Sequence, residues 1–247
     1  LRYHRQILMP QIGEEGQKKL TQARVAVIGT GGLGSAVLYY LAAAGVGTLS
    51  LFDSDTVELS NLNRQIIHWE QDIGRKKVAS AAEKLSAFNT ATIIHTYDVL
   101  LTRENANNFL QDHDVIVSCV DNKNTRFLLA QVGLELAIPV VEGGVEGLSG
   151  FQMNTKRDYA CIGCLWGKEI QQAGELPIVG VIAGHIGTVQ ATQAIKIILN
   201  QHAHACFGKL WTFNLDAMHF ETFDIPRDPN CPICGSFYTE VSSEEKG

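Results

Sequence analysis

The sequence predicts an α/β fold, a Rossmann-like doubly wound and mostly parallel sheet extended by antiparallel strands. Three observations lead there. "VIGTGGLGSA" at residues 27–36 places a glycine-rich turn between an apolar run and a helical pattern, short apolar runs then alternate with helical patterns to about residue 147, and two Cys-x-x-Cys pairs mark the last third of the chain.

The elements follow in order. "RVAVIG" at 24–29 reads as a short buried strand, and Leu33, Val37 and Leu41, joined by Tyr40 and Ala44, recur at helical spacing behind the turn. Gly45 and Gly47 end that helix, and "TLSLFD" at 48–53 is the next strand, closing on an acidic residue. A helix at about 75–87, a strand at 92–96, a helix at 104–111, a strand at 114–121, a helix at 125–137 and a strand at 138–143 continue the pattern. Such alternation implies parallel strands joined by right-handed crossovers, with ligands at the carboxyl ends of the strands, where Asp53 and Asp121 fall. From about 148 the pattern changes to a strand ("LSGFQMNT"), a polar loop ("GKEIQQAGELPIVG"), a long helix ("HIGTVQATQAIKIIL") and an antiparallel pair ("GKLWTFNL", "MHFETFDI") on the same sheet. One domain is expected over 1–235, with a nucleotide-binding part at 24–147, a second part at 148–235, and a flexible tail at 236–247.

With 247 residues, 45% of them hydrophobic, the chain can bury a substantial core. A net charge of −6 and the lack of a compact Lys/Arg cluster argue against a nucleic-acid partner. The most apolar stretch, 37–52, is interrupted by Gly45, Gly47, Thr48 and Ser50, so no membrane span is expected, and nothing resembles a signal peptide. The expected location is the cytoplasm. Leu1 stands where an initiator methionine would, so a few residues are expected to precede it.

The turn fits G-x-G-x-x-G through Gly29, Gly31 and Gly34, with Gly32 additional. Glycines permit positive φ and let phosphate oxygens reach backbone N–H groups at the positive end of the following helix. Asp53, 24 residues after Gly29, stands where an acidic residue accepts ribose hydroxyls. These features fit NAD as well as ATP. The run "FDSDTVELSNLNRQ" at 52–65 separates them, because a nicotinamide site has little use for so many polar groups, whereas attack at the α-phosphorus of a triphosphate needs a fixed guanidinium, an ammonium and a metal-holding carboxylate. Arg64, Lys77 and Asp121 can supply these three. An NAD-dependent oxidoreductase and a non-catalytic binding module remain as alternatives.

The four cysteines of the pairs, Cys161, Cys164, Cys231 and Cys234, offer soft ligands, and two such knuckles commonly enclose a tetrahedral structural zinc. A disulfide framework would suit a secreted chain, and nothing indicates export. Cys119 in a predicted buried strand and Cys206 near a turn read as packing residues. His202 and His204 read as part of a surface turn, His185 as structural, and no histidine is assigned to catalysis.

Gly29 to Gly34 ("GTGGLG"), "DSDTVELSNLNRQ", Lys77 after "DIGRK", "CVDN" at 119–122 and the paired Cys-x-x-Cys together resemble the ThiF/MoeB/HesA family, bacterial relatives of ubiquitin-activating enzymes, from "RYHRQI" to "CPICG". The resemblance implies ATP-dependent adenylation of the C-terminal glycine of a ubiquitin-like sulfur carrier protein of ThiS or MoaD type ending in Gly-Gly, with release of pyrophosphate, in thiamine, molybdopterin or a related biosynthesis. It further implies that Gly32 contacts nucleotide phosphate, that Asp53 holds the ribose, and that Ser60, Asn61 and Arg64 line the phosphates. Lys77 would offset phosphate charge, Asp121 with Asn122 beside it would hold Mg2+, and residues 148–235 would bind the carrier. Arg5 would reach into the neighbouring subunit's site, which implies a homodimer. Several relatives carry a cysteine in the crossover loop before the long helix; "GKEIQQAGELPIVGVIAG" has none, so a covalent sulfur-transfer step is not expected of this chain.

Overall fold

The computed structural model describes residues 2–167 and 177–237. Two helices, α1 (His4–Ile7) and α2 (Gly13–Gln22), precede the first strand. Then come β1 (Arg24–Ile28), α3 (Gly32–Ala44), β2 (Thr48–Phe52), α4 (Lys77–Phe88), β3 (Ile93–Tyr97), α5 (Ala106–Leu110), β4 (Val115–Ser118), α6 (Lys123–Leu136) and β5 (Val140–Glu146). The chain continues through β6 (Ser149–Thr155), α7 (Ile162–Trp166), α8 (Gly180–Ile198), β7 (Lys209–Asn214) and β8 (His219–Asp224).

All eight strands form one sheet in the order β3-β2-β1-β4-β5-β6-β7-β8. The first five are parallel, and β6, β7 and β8 join antiparallel, so the expected mixed sheet is the one observed. Chain direction reverses its spatial progress between β1 and β4, which leaves a crevice at their carboxyl ends. Because successive side chains point to opposite faces, Val25 and Val27 pack with α3, α4 and α8 while Ala26 and Ile28 pack with α5 and α6. A smaller apolar cluster around Leu134, Met153, Ile162 and Ile233 fastens the segment carrying Cys231 and Cys234 to α6 and β6. Among the described residues no helix is long and apolar enough to cross a membrane.

Several boundaries differ from the sequence reading for physical reasons. The strand expected over 114–121 ends at Ser118, because the Asn122 side chain accepts a hydrogen bond from Thr125 N–H at 2.9 Å and starts α6 there. Helix α8 begins at Gly180, five residues earlier than its apolar period suggests; a Cβ there would lie 2.4 Å from the Asn63 carbonyl oxygen, so glycine lets the first turn press against the 60–65 segment. The polar loop expected before it lies largely at 168–176, outside the described residues, as do 238–247 of the expected tail. Helices α1 and α2 gave no apolar period: α2 buries only Gly16, Gln17 and Leu20.

The turn from β1 to α3 is the tightest approach that the site depends on. Gly29 has φ +95°, and a Cβ at Gly34 would stand 2.1 Å from the Gly29 carbonyl oxygen. Backbone cannot give way as a side-chain tip can, so Gly34→Ala should destabilise the fold by roughly 1–3 kcal/mol or more. Gly31→Ala, whose Cβ would meet only the end of the Gln65 side chain at 3.4 Å, should cost much less. Urea denaturation of the two variants checks the ordering.

Candidate functional site

A cleft of about 280 Å³ opens at the carboxyl ends of β1, β2 and β4. Gly29, Gly31 and Gly32 form its floor at the start of α3, and Asp53, Asp55, Arg64, Lys77, Asp121 and Asn122 stand around it. Groups 92 residues apart in sequence, Gly29 and Asp121, meet because β1 and β4 are neighbours in the sheet. A second groove of about 330 Å³ between α8 and the β7–β8 pair, walled by Trp211, Phe213 and Phe220, gathers none of these groups.

Each side chain is held by its local structure. Asp53 Oδ2 accepts from the Thr30 N–H at 2.8 Å and the Thr30 hydroxyl at 3.0 Å, and its Oδ1 accepts from Asp55 N–H at 3.0 Å, which fixes the carboxylate at the strand end. Lys77, only 6% exposed at the first turn of α4, donates to Asp55 Oδ2 at 2.9 Å. Arg64 donates to the Ser60 carbonyl at 2.9 Å and to Asn63 Oδ1 at 3.0 Å, bonds to neutral groups that leave its charge uncompensated at the cleft. Asp121 makes no hydrogen bond among the described residues, and the carbonyl just before it, Val120, is gripped by the buried Arg126.

Not every expected residue reaches the wall. Gly34 lies beneath the turn, against Gly29. Ser60 and Asn61 stand outside the cleft lining: Asn61 is buried and its Oδ1 accepts from Glu58 N–H at 3.1 Å, a turn-forming bond. Arg5 is exposed on α1 and is also absent from the lining. The sequence reading missed Thr30, which organises Asp53, and Gln65, 5% exposed with an Oε1 that meets no hydrogen-bond partner among the described residues. Thr30 is the variable position of the glycine signature and Gln65 closes the "NRQ" run, so position beside a motif was the available signal.

The four cysteines of the paired knuckles do converge. Their sulfur atoms all lie within 4.8 Å of one another, with Cys161 and Cys231 at 3.6 Å and Cys164 and Cys234 at 3.3 Å. These separations are far beyond a disulfide's ~2.05 Å and close to the ~3.8 Å edge of a tetrahedron with metal–sulfur bonds of about 2.3 Å. Asp228 N–H points at Cys164 Sγ at 3.5 Å, a donor suited to a thiolate. The cluster can therefore hold a metal ion. Cys119 and Cys206 stay packing residues: burial pushes both thiols up, Cys206 to about 12.

The fold and cleft define an α/β protein with a glycine-rich turn, a carboxylate at the end of β2 and clustered charges gathered in one crevice. The chain belongs to the ThiF family, whose model matches residues 3–233. It is 37% identical over 240 residues to the SAMP-activating enzyme E1 of Haloferax volcanii, covering 95% of this chain and 88% of that protein. It is 35% identical to the sulfur carrier protein adenylyltransferase of Thermus thermophilus, covering 97% and 92%. With the adenylyltransferase and sulfurtransferase MOCS3 of Anopheles gambiae it shares 38% identity over 94% of this chain but 54% of the other, so it spans about half of that longer protein. Among solved structures, Escherichia coli MccB with ATP superposes with a TM-score of 0.83 over 95% of this chain and 75% of the other at 20% identity, a likeness of fold.

The helix that carries Lys77 is tied down by a buried ion pair between Lys84 and Asp72, with Arg75 donating to Asp72 Oδ1 at 2.6 Å. Burial pushes the Asp72 carboxyl up, but the hydrogen bonds from Lys84 and the Trp69 N–H outweigh it and hold the group at about 2. A carboxyl depressed in the fold contributes stability in full above its unfolded value near pH 4 and loses it as pH falls toward 2. Denaturation curves taken at intervals through that window should therefore slope more steeply for the wild type than for Asp72→Asn, which should also be less stable at neutral pH. Parallel slopes would show that the pair does not stabilise the fold.

Proposed function

We propose that this chain adenylates the C-terminal glycine carboxylate of a ubiquitin-like sulfur carrier protein, using ATP and releasing pyrophosphate. The observation that carries the reading is the meeting of Arg64, Lys77 and Asp121 over the Gly29–Gly34 turn in one cleft. The names of the Haloferax and Thermus relatives support the same activity.

The chemistry asks little covalent help of the protein. A carboxylate is already a competent nucleophile at neutral pH, so no general base is required. Catalysis consists of placing it in line with the α-phosphorus and masking the negative charge of both reactants. In this reading Gly31 and Gly32 offer backbone N–H groups to phosphate oxygens at the N-terminus of α3, and Asp53 accepts the ribose hydroxyls. Arg64 and Lys77 face the phosphate chain. Ser60 and Asn61 act through the turn that presents Arg64, and Asn122 through the cap that sets Asp121. Mg2+ suits Asp121, an oxygen donor at the cleft without a hydrogen bond, and would add positive charge beside the phosphates.

Zn2+ suits the four-cysteine cluster and would fasten the 231–234 segment to the body of the fold. Four cysteines at non-disulfide distances fit a reducing compartment, and we assign the protein to the cytoplasm. Neither nucleic acid nor membrane is assigned as a partner.

The working unit is a homodimer. Gln6 on α1 donates to the Ala44 carbonyl at 3.0 Å, which pins α1 to the last residue of α3, whereas the cleft lies at the first residue, Gly32. Thirteen residues of helix span about 20 Å. Arg5 lies outside the lining of its own chain's cleft, which supports the reading that it serves the site of a second copy.

Exchange of labelled pyrophosphate into ATP, dependent on a carrier ending in Gly-Gly, tests the activity, and tight NADH binding without exchange would replace it with an oxidoreductase reading. Asp121→Ala should abolish exchange while the protein still folds; wild-type rates would remove Asp121 from the reaction. Mixing Arg5→Ala with Asp121→Ala chains should restore part of the activity through hybrid dimers, and no recovery in verified hybrids would reject the shared site. Metal analysis should find zinc bound through the cysteine cluster, and its removal by chelator should lower the melting temperature; unchanged melting would deny the cluster a structural role.

A further inference from the structure

His68 lies behind the glycine turn, 3% exposed, between that turn and α4. Its Nε2 is 3.0 Å from the Thr30 carbonyl oxygen and its Nδ1 is 2.8 Å from Ser80 Oγ. A carbonyl oxygen only accepts, so Nε2 carries the proton. Burial disfavours the charged ring and, together with the nearby Lys77 and Lys84, outweighs the Thr30 bond and the Asp53 charge that favour it, so the ring is neutral and Nδ1 is an acceptor. The Ser80 hydroxyl then donates to Nδ1 while its oxygen accepts from Lys84 Nζ at 3.0 Å. Lys84 is paired with Asp72, which also accepts from Trp69 N–H at 2.9 Å. Every proton from Lys84 to Thr30 thus has a single direction.

The consequence reaches the cleft through one peptide plane. The Thr30 carbonyl and the Gly31 N–H belong to the same trans peptide, so they point to opposite sides. Holding the oxygen inward on His68 aims the Gly31 N–H outward, on the residue that lines the cleft, and that N–H meets no acceptor among the described residues. Asp53 fixes the N–H side of Thr30, but without this anchor the following peptide can still turn about Thr30 ψ and the permissive φ of Gly31.

We propose that His68 is a positioning residue for the nucleotide: as its Nε2–H tautomer it holds the Thr30 carbonyl and presets the Gly31 N–H for a phosphate oxygen. The same imidazole joins the turn to the helix that bears Lys77, so the amide and the ammonium are set relative to each other by one side chain. This inference rests on the nucleotide-binding reading above.

The test combines calorimetric titration with a non-hydrolysable ATP analogue and magnesium, nitrogen-15 NMR of the imidazole, and exchange kinetics. The wild-type ring should show its proton on Nε2. His68→Phe fills the space without a donor and should bind the analogue about tenfold more weakly or worse, with KM for ATP raised more than kcat is lowered. His68→Gln, whose amide can place an N–H near the Nε2 position, should recover most of that affinity. If His68→Phe folds and binds as the wild type does, or if the wild-type ring carries its proton on Nδ1, the inference is overturned while the nucleotide reading stands. Failure of the wild type itself to bind the analogue overturns both. Should His68→Phe not fold, the wild-type tautomer and the affinity of His68→Gln decide the question in the same way.

Discussion

The site depends first on how closely backbone passes backbone where β1 turns into α3. Gly34 sits against the Gly29 carbonyl at a distance no side chain tolerates, and Gly29 itself has left-handed φ. That contact brings the N-terminus of α3 up to the end of the sheet, so its unpaired N–H groups face the crevice between β1 and β4. A wider turn would leave Asp53, Lys77 and Asp121 around a gap with no floor.

Onto this floor the structure loads charges that are separated in sequence yet individually restrained. Lys77 is nearly buried and has one carboxylate partner, Asp55, which is itself largely exposed. The ammonium is therefore fixed in position while its charge is only partly offset. Arg64 is aligned by a carbonyl and an amide oxygen, which orient a guanidinium without neutralising it. Positive charge that is already oriented needs little reorganisation when two anions meet, and this is the main electrostatic advantage a protein has over water.

Much of this was legible in the sequence because the determinants are local. The glycine spacing, the carboxylate ending β2 and the Cys-x-x-Cys pairs each state their geometry within a few residues, and the strands of the parallel half were recognisable as short apolar runs. What escaped was set by distant partners. Helix α2 has scarcely an apolar face, and it packs through Leu20 and the Gln17 side chain, whose Nε2 reaches the Ala44 carbonyl at 3.1 Å. The first turn of α8 packs at Gly180 against the Asn63 carbonyl, more than a hundred residues earlier. Asn61, expected at the phosphates from its place in the motif, has its Oδ1 engaged by the Glu58 N–H in the turn that carries Arg64.

The continuous sheet ties the crevice to the antiparallel half of the fold. Strand β5 is the last parallel strand and also the first partner of the antiparallel half, so the crevice and the β6–β8 surface share a rigid wall. Val145 near the end of β5 and Ile178 beyond the loop both line the cleft, and Gly147 N–H bonds the Pro177 carbonyl at 2.7 Å. This bridge beside the cleft is backbone to backbone, with glycine on one side and Pro177 on the other. The apolar seam around the cysteine cluster packs on the same sheet through Met153 of β6 and on α6 through Leu134, so the cysteine knuckles, α6 and the end of the parallel half are braced together.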